Sequence, residues 1–272
     1  MTRLIQDDVV KIAPTLEEYN AELVKMTGYS LREIAAHAVG KEVREDYAQK
    51  PNVAVIPMTC GQGIIEGFVE SVASIISYLG FNAVITKSYD AGGVAEAVQN
   101  GSEILFMADD DRFVAVNVRT GKASDNGDAT GKGYVTGLVR MCNGLEGKKV
   151  LVIGVGPVGT SAALALIRFG AEVSIYDIDL SASQRLSEEL KKQGYAAKIE
   201  TDLDSALAKH RILVDACPAG EFIMLRHISE NTKIAAPGIP LGVQAAGVTQ
   251  LSNRLLHDQL QIGVATMIFD VL

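Results

Sequence analysis

Lys148-Lys149-Val150-Leu151-Val152-Ile153 runs into Gly154-Val155-Gly156-Pro157-Val158-Gly159, and an Ala/Leu-rich stretch continues from there to Phe169-Gly170. The β-branched run suits a buried strand and the stretch behind the glycines suits a helix. Each glycine of the G-x-G-x-x-G pattern has its own task. Gly154 permits the tight turn, Gly156 lets backbone approach a pyrophosphate, and Gly159 lets helix and strand pack closely. Pro157 suits the first helical position, where no N–H is needed, and the helix start from Val158 onward offers N–H groups and a partial positive charge to an anion. A second strand, Glu172-Val173-Ser174-Ile175-Tyr176, ends at Asp177, 18 residues beyond Gly159. A carboxylate there hydrogen-bonds an adenosine ribose diol and repels a 2′-phosphate. The stretch predicts a Rossmann dinucleotide-binding domain that takes NAD in preference to NADP.

Downstream, Arg211-Ile212-Leu213-Val214-Asp215-Ala216 and Lys233-Ile234-Ala235-Ala236 read as further strands of this half. The loops that follow them start at Cys217-Pro218 and Pro237-Gly238, and loops at strand C-termini face the nicotinamide in such folds. Cys217, Pro218 and Pro237 therefore join the expected cofactor contacts. Upstream, Asn143-Gly144-Leu145-Glu146-Gly147 marks a break in pattern, which sets the expected domains at 1–145 and 146–272. In the first of these, Thr15-Leu16-Glu17-Glu18 and Ser30-Leu31-Arg32-Glu33 both have capping-box spacing and predict two opening helices. Val53-Ala54-Val55-Ile56, Ala83-Val84-Ile85 and Ile104-Leu105-Phe106-Met107 then alternate with helical patterns, as in a parallel sheet with crossover helices. Phe113 to Val118 adds a strand, and the polar segment from Ser124 leads into a helix through Tyr134 and Leu138. The fold class is α/β, an N-terminal substrate domain followed by a C-terminal Rossmann domain.

The chain has 272 residues, 48% of them apolar and 21% charged, a globular composition long enough for two modest domains. Its net charge of −8 is the wrong sign for a phosphate-backbone binder, so no nucleic-acid partner is expected. Three dispersed cysteines, Cys60, Cys142 and Cys217, form no CxxC pair, which fits a reducing compartment and no structural zinc. No apolar run approaches a membrane span, so the expected location is cytoplasmic.

Several chemistries are excluded by inspection. None of the eight tyrosines has Lys four residues on, and HExxH, P-loop and GxSxG patterns are missing. The four histidines, His37, His210, His227 and His257, stand apart without metal-ligand spacing. The polar loops that follow strands of the N-terminal half are Thr59-Cys60-Gly61-Gln62, Asp109-Asp110-Asp111 and Asp125-Asn126. A carboxylate there pairs with a cationic substrate or takes its proton, which hydride removal from an amine carbon requires. On composition alone, three consecutive acids are equally well a solvated turn. The residues alone support an NAD-dependent amino-acid or shikimate-type dehydrogenase, with a non-catalytic NAD-sensing protein as the alternative of a different class.

Val55-Ile56-Pro57-Met58-Thr59-Cys60-Gly61-Gln62-Gly63-Ile64-Ile65, Ala97-Val98-Gln99-Asn100-Gly101, Met107-Ala108-Asp109-Asp110, Pro237-Gly238-Ile239-Pro240 and Ile262-Gly263-Val264-Ala265-Thr266-Met267 together resemble the PylD family of pyrrolysine synthases. The matches are spread over nearly the whole chain. The resemblance implies NAD-dependent oxidation of the terminal amine of lysine-Nε-3-methylornithine, loss of ammonia to a semialdehyde, and cyclisation to pyrrolysine. It further implies a small-molecule substrate as partner and a homodimer. Carried over by motif, Asp109 contacts substrate as the catalytic carboxylate and Asn126 shares its pocket. Cys60 stands where other members carry serine, and Leu4 closes over bound substrate. Asp258 stands near the position of a family glutamate ahead of the Ile-Gly-x-Ala segment.

Overall fold

The computed structural model describes residues 4–43 and 51–272. The chain divides into two compact units: the first comprises Met1–Ala21, Ser30–Ala129 and Gln259–Leu272, the second Glu22–Tyr29 and Thr130–Asp258. The division differs from the expected split at residue 145 in a specific way. The last helix leaves the dinucleotide half and returns to the first unit, because its side chains are apolar on every face and need packing all round.

The first unit opens with α1 (Gln6–Val9), α2 (Ile12–Thr27) and α3 (Leu31–Ala38). Ser30 caps α3 as expected, its hydroxyl accepting from the Glu33 N–H while Glu33 accepts from the Ser30 N–H. The Thr15 capping box is not formed. α2 begins one turn earlier, and Thr15 lies inside it with its hydroxyl donating to the Lys11 carbonyl at 2.7 Å. Pro14 is tolerated there because the first turn of a helix has no use for its missing N–H.

Next come β1 (Asn52–Ile56), α4 (Phe68–Tyr78), β2 (Asn82–Ile85), α5 (Asp90–Gln99), β3 (Ile104–Ala108), β4 (Phe113–Asn117), β5 (Ala123–Asp125) and α6 (Asn126–Met141), which runs on into the second unit. The sheet order is β2-β1-β3-β4-β5. β1, β2 and β3 are parallel as the alternation implies, but β4 and β5 turn back antiparallel, so the sheet is mixed. The connections at 109–112 and 118–122 are too short for a crossover, and short links allow only antiparallel neighbours.

The second unit contains β6 (Lys149–Ile153), α7 (Pro157–Arg168), β7 (Glu172–Tyr176), α8 (Leu180–Lys192), β8 (Lys198–Ile199), α9 (Leu203–Lys209), β9 (Ile212–Asp215), β10 (Lys233–Ala235), α10 (Ala245–Leu251) and β11 (Leu255–Leu256). The order is β11-β10-β9-β6-β7-β8 and every pair is parallel. The order reverses at β6, and ligands bind at such switch points. Leu151, Ile153, Leu213 and Ile234 form its core with Leu207 and Ile223.

α11 (Gln261–Val271) packs on α3, α4, β4 and β5. Its last carbonyls are satisfied by side chains: Lys41 donates to the Phe269 and Leu272 carbonyls, Lys122 to Leu272, and Asn117 to Val271. These donors meet the unpaired carbonyls at the negative end of the helix dipole.

Candidate functional site

At the end of β6 the chain turns at Gly154, whose φ is 86° and whose N–H donates to the Tyr176 carbonyl at 2.8 Å. A side chain there would press on the Ala216 carbonyl group and the Cys217 β-carbon, both at 3.0 Å. At Gly159 a β-carbon would fall 1.8 Å from the Gly154 carbonyl oxygen, so helix and turn touch without room for a methyl. Gly156 differs. It has ordinary backbone angles, caps α7 without a side chain, and a β-carbon on it would meet no protein atom within 4 Å. The space in front of Gly156 is therefore open, and Pro157 at the first helical position leaves the N–H groups of Val158 and Gly159 to face it. These features fit a dinucleotide pyrophosphate.

Asp177 follows β7. Its Oδ2 accepts from the Val155 N–H at 2.8 Å and its Oδ1 from the Asp179 N–H at 2.9 Å, so the carboxylate ties the second strand end to the glycine turn. Its neighbour Ile178 is 95% exposed, a large apolar side chain in solvent beside an acid. Asp177→Ser is expected to weaken NADH binding by about 10- to 100-fold, by removing a charged acceptor worth roughly 1.5 to 3 kcal/mol, and to narrow the gap to NADPH. Parallel fluorescence titrations with the two nucleotides measure both effects.

The loops after β9 and β10 lie against each other. The Gly238 N–H donates to the Asp215 carbonyl at 2.8 Å, and a β-carbon on Gly238 would stand 2.4 Å from the Cys217 carbonyl oxygen. Cys217 and Pro237 are half-buried and Pro218 is exposed. Burial and the adjoining Asp215 carboxylate push the Cys217 thiol up to about 12, so it stays protonated and is no nucleophile.

In the first unit one register row crosses the sheet: Ile56 beside Met107, Met107 beside Val114, Val114 beside Asp125. The loops that follow β1, β3 and β5 leave from this row, so the three polar segments emerge on one sheet end. The main chain of Thr59 donates to Asp90 Oδ1 at 2.7 Å and its hydroxyl to Asp90 Oδ2. The Gln62 N–H donates to Asp110 Oδ2 at 2.7 Å, and Gly61, at φ 67°, has no room for a side chain against that carboxylate. Asp125 pairs with Arg112 at 3.1 Å and accepts from the Gly127 N–H at the start of α6.

Asp109 is arranged differently from these acids. Its Oδ1 accepts from the Asp111 and Arg112 N–H groups at 2.9 and 2.7 Å, which fixes the side chain, while Oδ2 is left for a partner. Asn126 begins α6 and its amide points at the Met267 sulfur of α11 at 3.5 Å. Cys60 is exposed at the tip of its loop. Leu4 is half-buried just ahead of α1, and α1 lies on the start of α4, where the Ser71 hydroxyl donates to the Val9 carbonyl at 2.8 Å. Cys60, Asp109 and Asn126 thus share one sheet end. Asp258 belongs to the second unit instead. It is 4% exposed, and its main chain is bonded in both directions to the Tyr134 hydroxyl, at 2.8 and 2.9 Å.

The sequence pattern missed Asp90, Ile178 and Asp215. An acid closing the apolar run Ile212-Leu213-Val214-Asp215 is a visible signal, since buried carboxylates need partners. Of the four histidines, His210 bonds the Ala206 carbonyl and Ser174, His227 bonds Asp204, and His257 bonds the Ala236 carbonyl. Among the described residues no group of three His, Cys, Asp or Glu side chains is disposed to hold a metal, and no helix is long and apolar enough to cross a membrane.

The family described as pyrrolysine biosynthesis protein PylD, N-terminal domain, matches residues 8–124, and the alanine dehydrogenase/PNT C-terminal domain matches residues 122–220. Pyrrolysine synthase of Methanosarcina barkeri is 32% identical over 272 residues, all of this chain and 98% of that protein. Pyrrolysine synthase of Methanosarcina acetivorans is 29% identical, with full coverage of both. Among solved structures, quinate dehydrogenase of Corynebacterium glutamicum in complex with NAD covers 82% of this chain and 94% of its own, with a TM-score of 0.53 at 16% identity. Shikimate dehydrogenase of Aquifex aeolicus covers 84% and 93%, with a TM-score of 0.55 at 16% identity. The two structures share the fold.

Proposed function

This chain belongs to the pyrrolysine synthase (PylD) family of dehydrogenase-type enzymes, and on that footing we propose that it converts lysine-Nε-3-methylornithine to pyrrolysine with NAD as oxidant. The observation that carries the reading is the match to pyrrolysine synthases along the whole chain, in a protein whose dinucleotide turn is intact. NAD rather than NADP follows from Asp177, whose charge repels a 2′-phosphate.

When bound, NAD supplies the hydride acceptor. Gly154, Gly156, Pro157, Val158 and Gly159 would hold its pyrophosphate, Asp177 its adenosine ribose, and Cys217, Pro218 and Pro237 would border its nicotinamide. In the first unit, Asp109 Oδ2 receives the terminal ammonium of the substrate and takes its proton. The freed nitrogen lone pair then assists departure of hydride from the adjoining carbon. The resulting imine takes up water and releases ammonia, leaving an aldehyde. The α-amine of the same residue condenses with that aldehyde and returns a water, which closes the pyrroline ring. Asn126 and Cys60 line the polar end of the pocket, and Leu4 covers the substrate and excludes bulk water. Held together, amine and aldehyde react as one molecule, with effective molarities of about 10⁵ M or more. Asp258 fits this scheme less directly, being buried; its role is to anchor the segment leading to α11. Residence in the cytoplasm and assembly as a homodimer complete the reading.

Incubating the purified protein with NAD and lysine-Nε-3-methylornithine tests it, with lysine, ornithine and shikimate alongside. NADH formation together with a product of pyrrolysine mass is the expected result. Turnover of a comparison substrate alone would make the protein another amino-acid or shikimate-type dehydrogenase, and NADH binding without any turnover would make it a sensor.

A further inference from the structure

Asp215 is the last residue of β9 and lies beside Ile153, the last residue of β6 before the glycine turn. It is 0% exposed, an acid at the end of a strand whose preceding residues Leu213 and Val214 are buried aliphatics. Such a group stays only where donors converge on it. Three do so from two loops. Its Oδ1 accepts from the Cys217 N–H at 3.3 Å and the Cys217 thiol at 3.1 Å, and its Oδ2 accepts from the Gly242 N–H at 3.1 Å. Gly242 has no space for a side chain, since a β-carbon would sit 2.2 Å from Asp215 Oδ2. The Asp215 carbonyl meanwhile takes the Gly238 N–H at 2.8 Å. One residue thereby holds segments 217–222 and 238–243 together, and Ala216, next to it, walls the turn at Gly154.

From this geometry we propose that Asp215 is a positioning residue for the dinucleotide: its ionised carboxylate clasps the loops at Cys217 and Gly242 into the shape that receives the nicotinamide end, and its neutralisation loosens them and weakens binding. The inference rests on the reading of the second unit as an NAD site and adds to it a pH-dependent element. Burial pushes the Asp215 carboxyl up to about 6, against the opposing effect of its hydrogen bonds and of His257. The titratable groups acting on it are Cys217, on its own loop, and His257, from the segment after β11, whose Nδ1 contacts the Ala236 carbonyl at 2.7 Å. An ionised carboxylate accepts at both oxygens, whereas a protonated one turns a donor toward N–H or S–H groups that also donate. The clasp therefore forms as pH rises through about 6 and is lost as pH falls through it.

The test is NADH titration by its own fluorescence, from about pH 5 to pH 8, on the unaltered protein, Asp215→Asn and His257→Gln. The unaltered protein is expected to bind NADH roughly 5- to 10-fold more tightly at the upper end, as loss of one clasped charge implies. Asp215→Asn is expected to bind weakly with a flat profile, and His257→Gln to keep the rise. A rise that persists in Asp215→Asn, or disappears in His257→Gln, overturns the inference. Failure of the unaltered protein to bind NADH at any pH overturns the cofactor reading instead. Should Asp215→Asn not fold, hydrogen exchange of the unaltered protein decides: protection of segments 217–222 and 238–243, corrected for intrinsic rates, rises with pH if the clasp ionises and stays constant if it does not.

Discussion

Gly156→Val is expected to abolish measurable NADH binding, a loss of at least about 100-fold or roughly 2.7 kcal/mol, while the protein stays folded. A β-carbon on Gly156 meets no protein atom within 4 Å, so the valine side chain projects into the space a pyrophosphate would take. Stability changes little. Gly156 has φ −66°, which valine adopts, and valine is a poorer helix cap than glycine by about 1 kcal/mol, or some 2 to 4 °C in Tm at this chain length. Gly159→Ala is the informative contrast. Its methyl would land 1.8 Å from the Gly154 carbonyl oxygen, so the turn itself must move, at about 1 to 3 kcal/mol of stability. Thermal melts and NADH titrations on the two variants separate a blocked ligand from a broken turn. If Gly156→Val binds NADH normally, the pyrophosphate does not lie where the motif puts it.

The dinucleotide turn was legible because its physics is local. Strand, glycine spacing, helix and acid occur within one continuous stretch, and each glycine answers to a contact that can be named. The capping box at Ser30 was legible for the same reason. The box at Thr15 misled because hydroxyl and carboxylate spacing is also compatible with a helix already under way, and Lys11 supplied the acceptor. β8 and β11 have two residues each, too few to show any periodicity. The return of α11 to the first unit depends on contacts with α3 and α4, more than 180 residues earlier, which no window of sequence contains. Its near-uniform apolarity announces burial, though not against what. The acids at 109–111 and Asp125 were recognisable as a group while Asp90 was not, and composition cannot divide the work among them. Only the backbone geometry assigns Asp110 to the Gln62 loop, Asp125 to Arg112 and Asp90 to Thr59.

That division is why Asp109→Asn should be the most damaging single change in the first unit. An asparagine keeps a carbonyl oxygen where Oδ1 accepts from the Asp111 and Arg112 N–H groups, so the turn at 109–112 is preserved. What disappears is the negative charge at Oδ2. If that oxygen takes the proton of the substrate ammonium, kcat for NADH formation falls by about 10²- to 10⁴-fold, the usual contribution of a positioned general base. Part of the loss should be recovered at higher pH, where the substrate amine is already neutral and no longer needs the carboxylate. Asp110→Asn gives the matched comparison. It leaves an acceptor for the Gln62 N–H and removes a charge one residue away, so a merely electrostatic role for this acidic turn predicts similar losses in the two variants. A base at Asp109 predicts a large loss confined to Asp109→Asn, carried by kcat and relieved by alkali. Equal modest effects on KM in both would instead mean that the turn attracts a cationic substrate without touching its proton, and the base would have to be sought among the other polar groups at this sheet end.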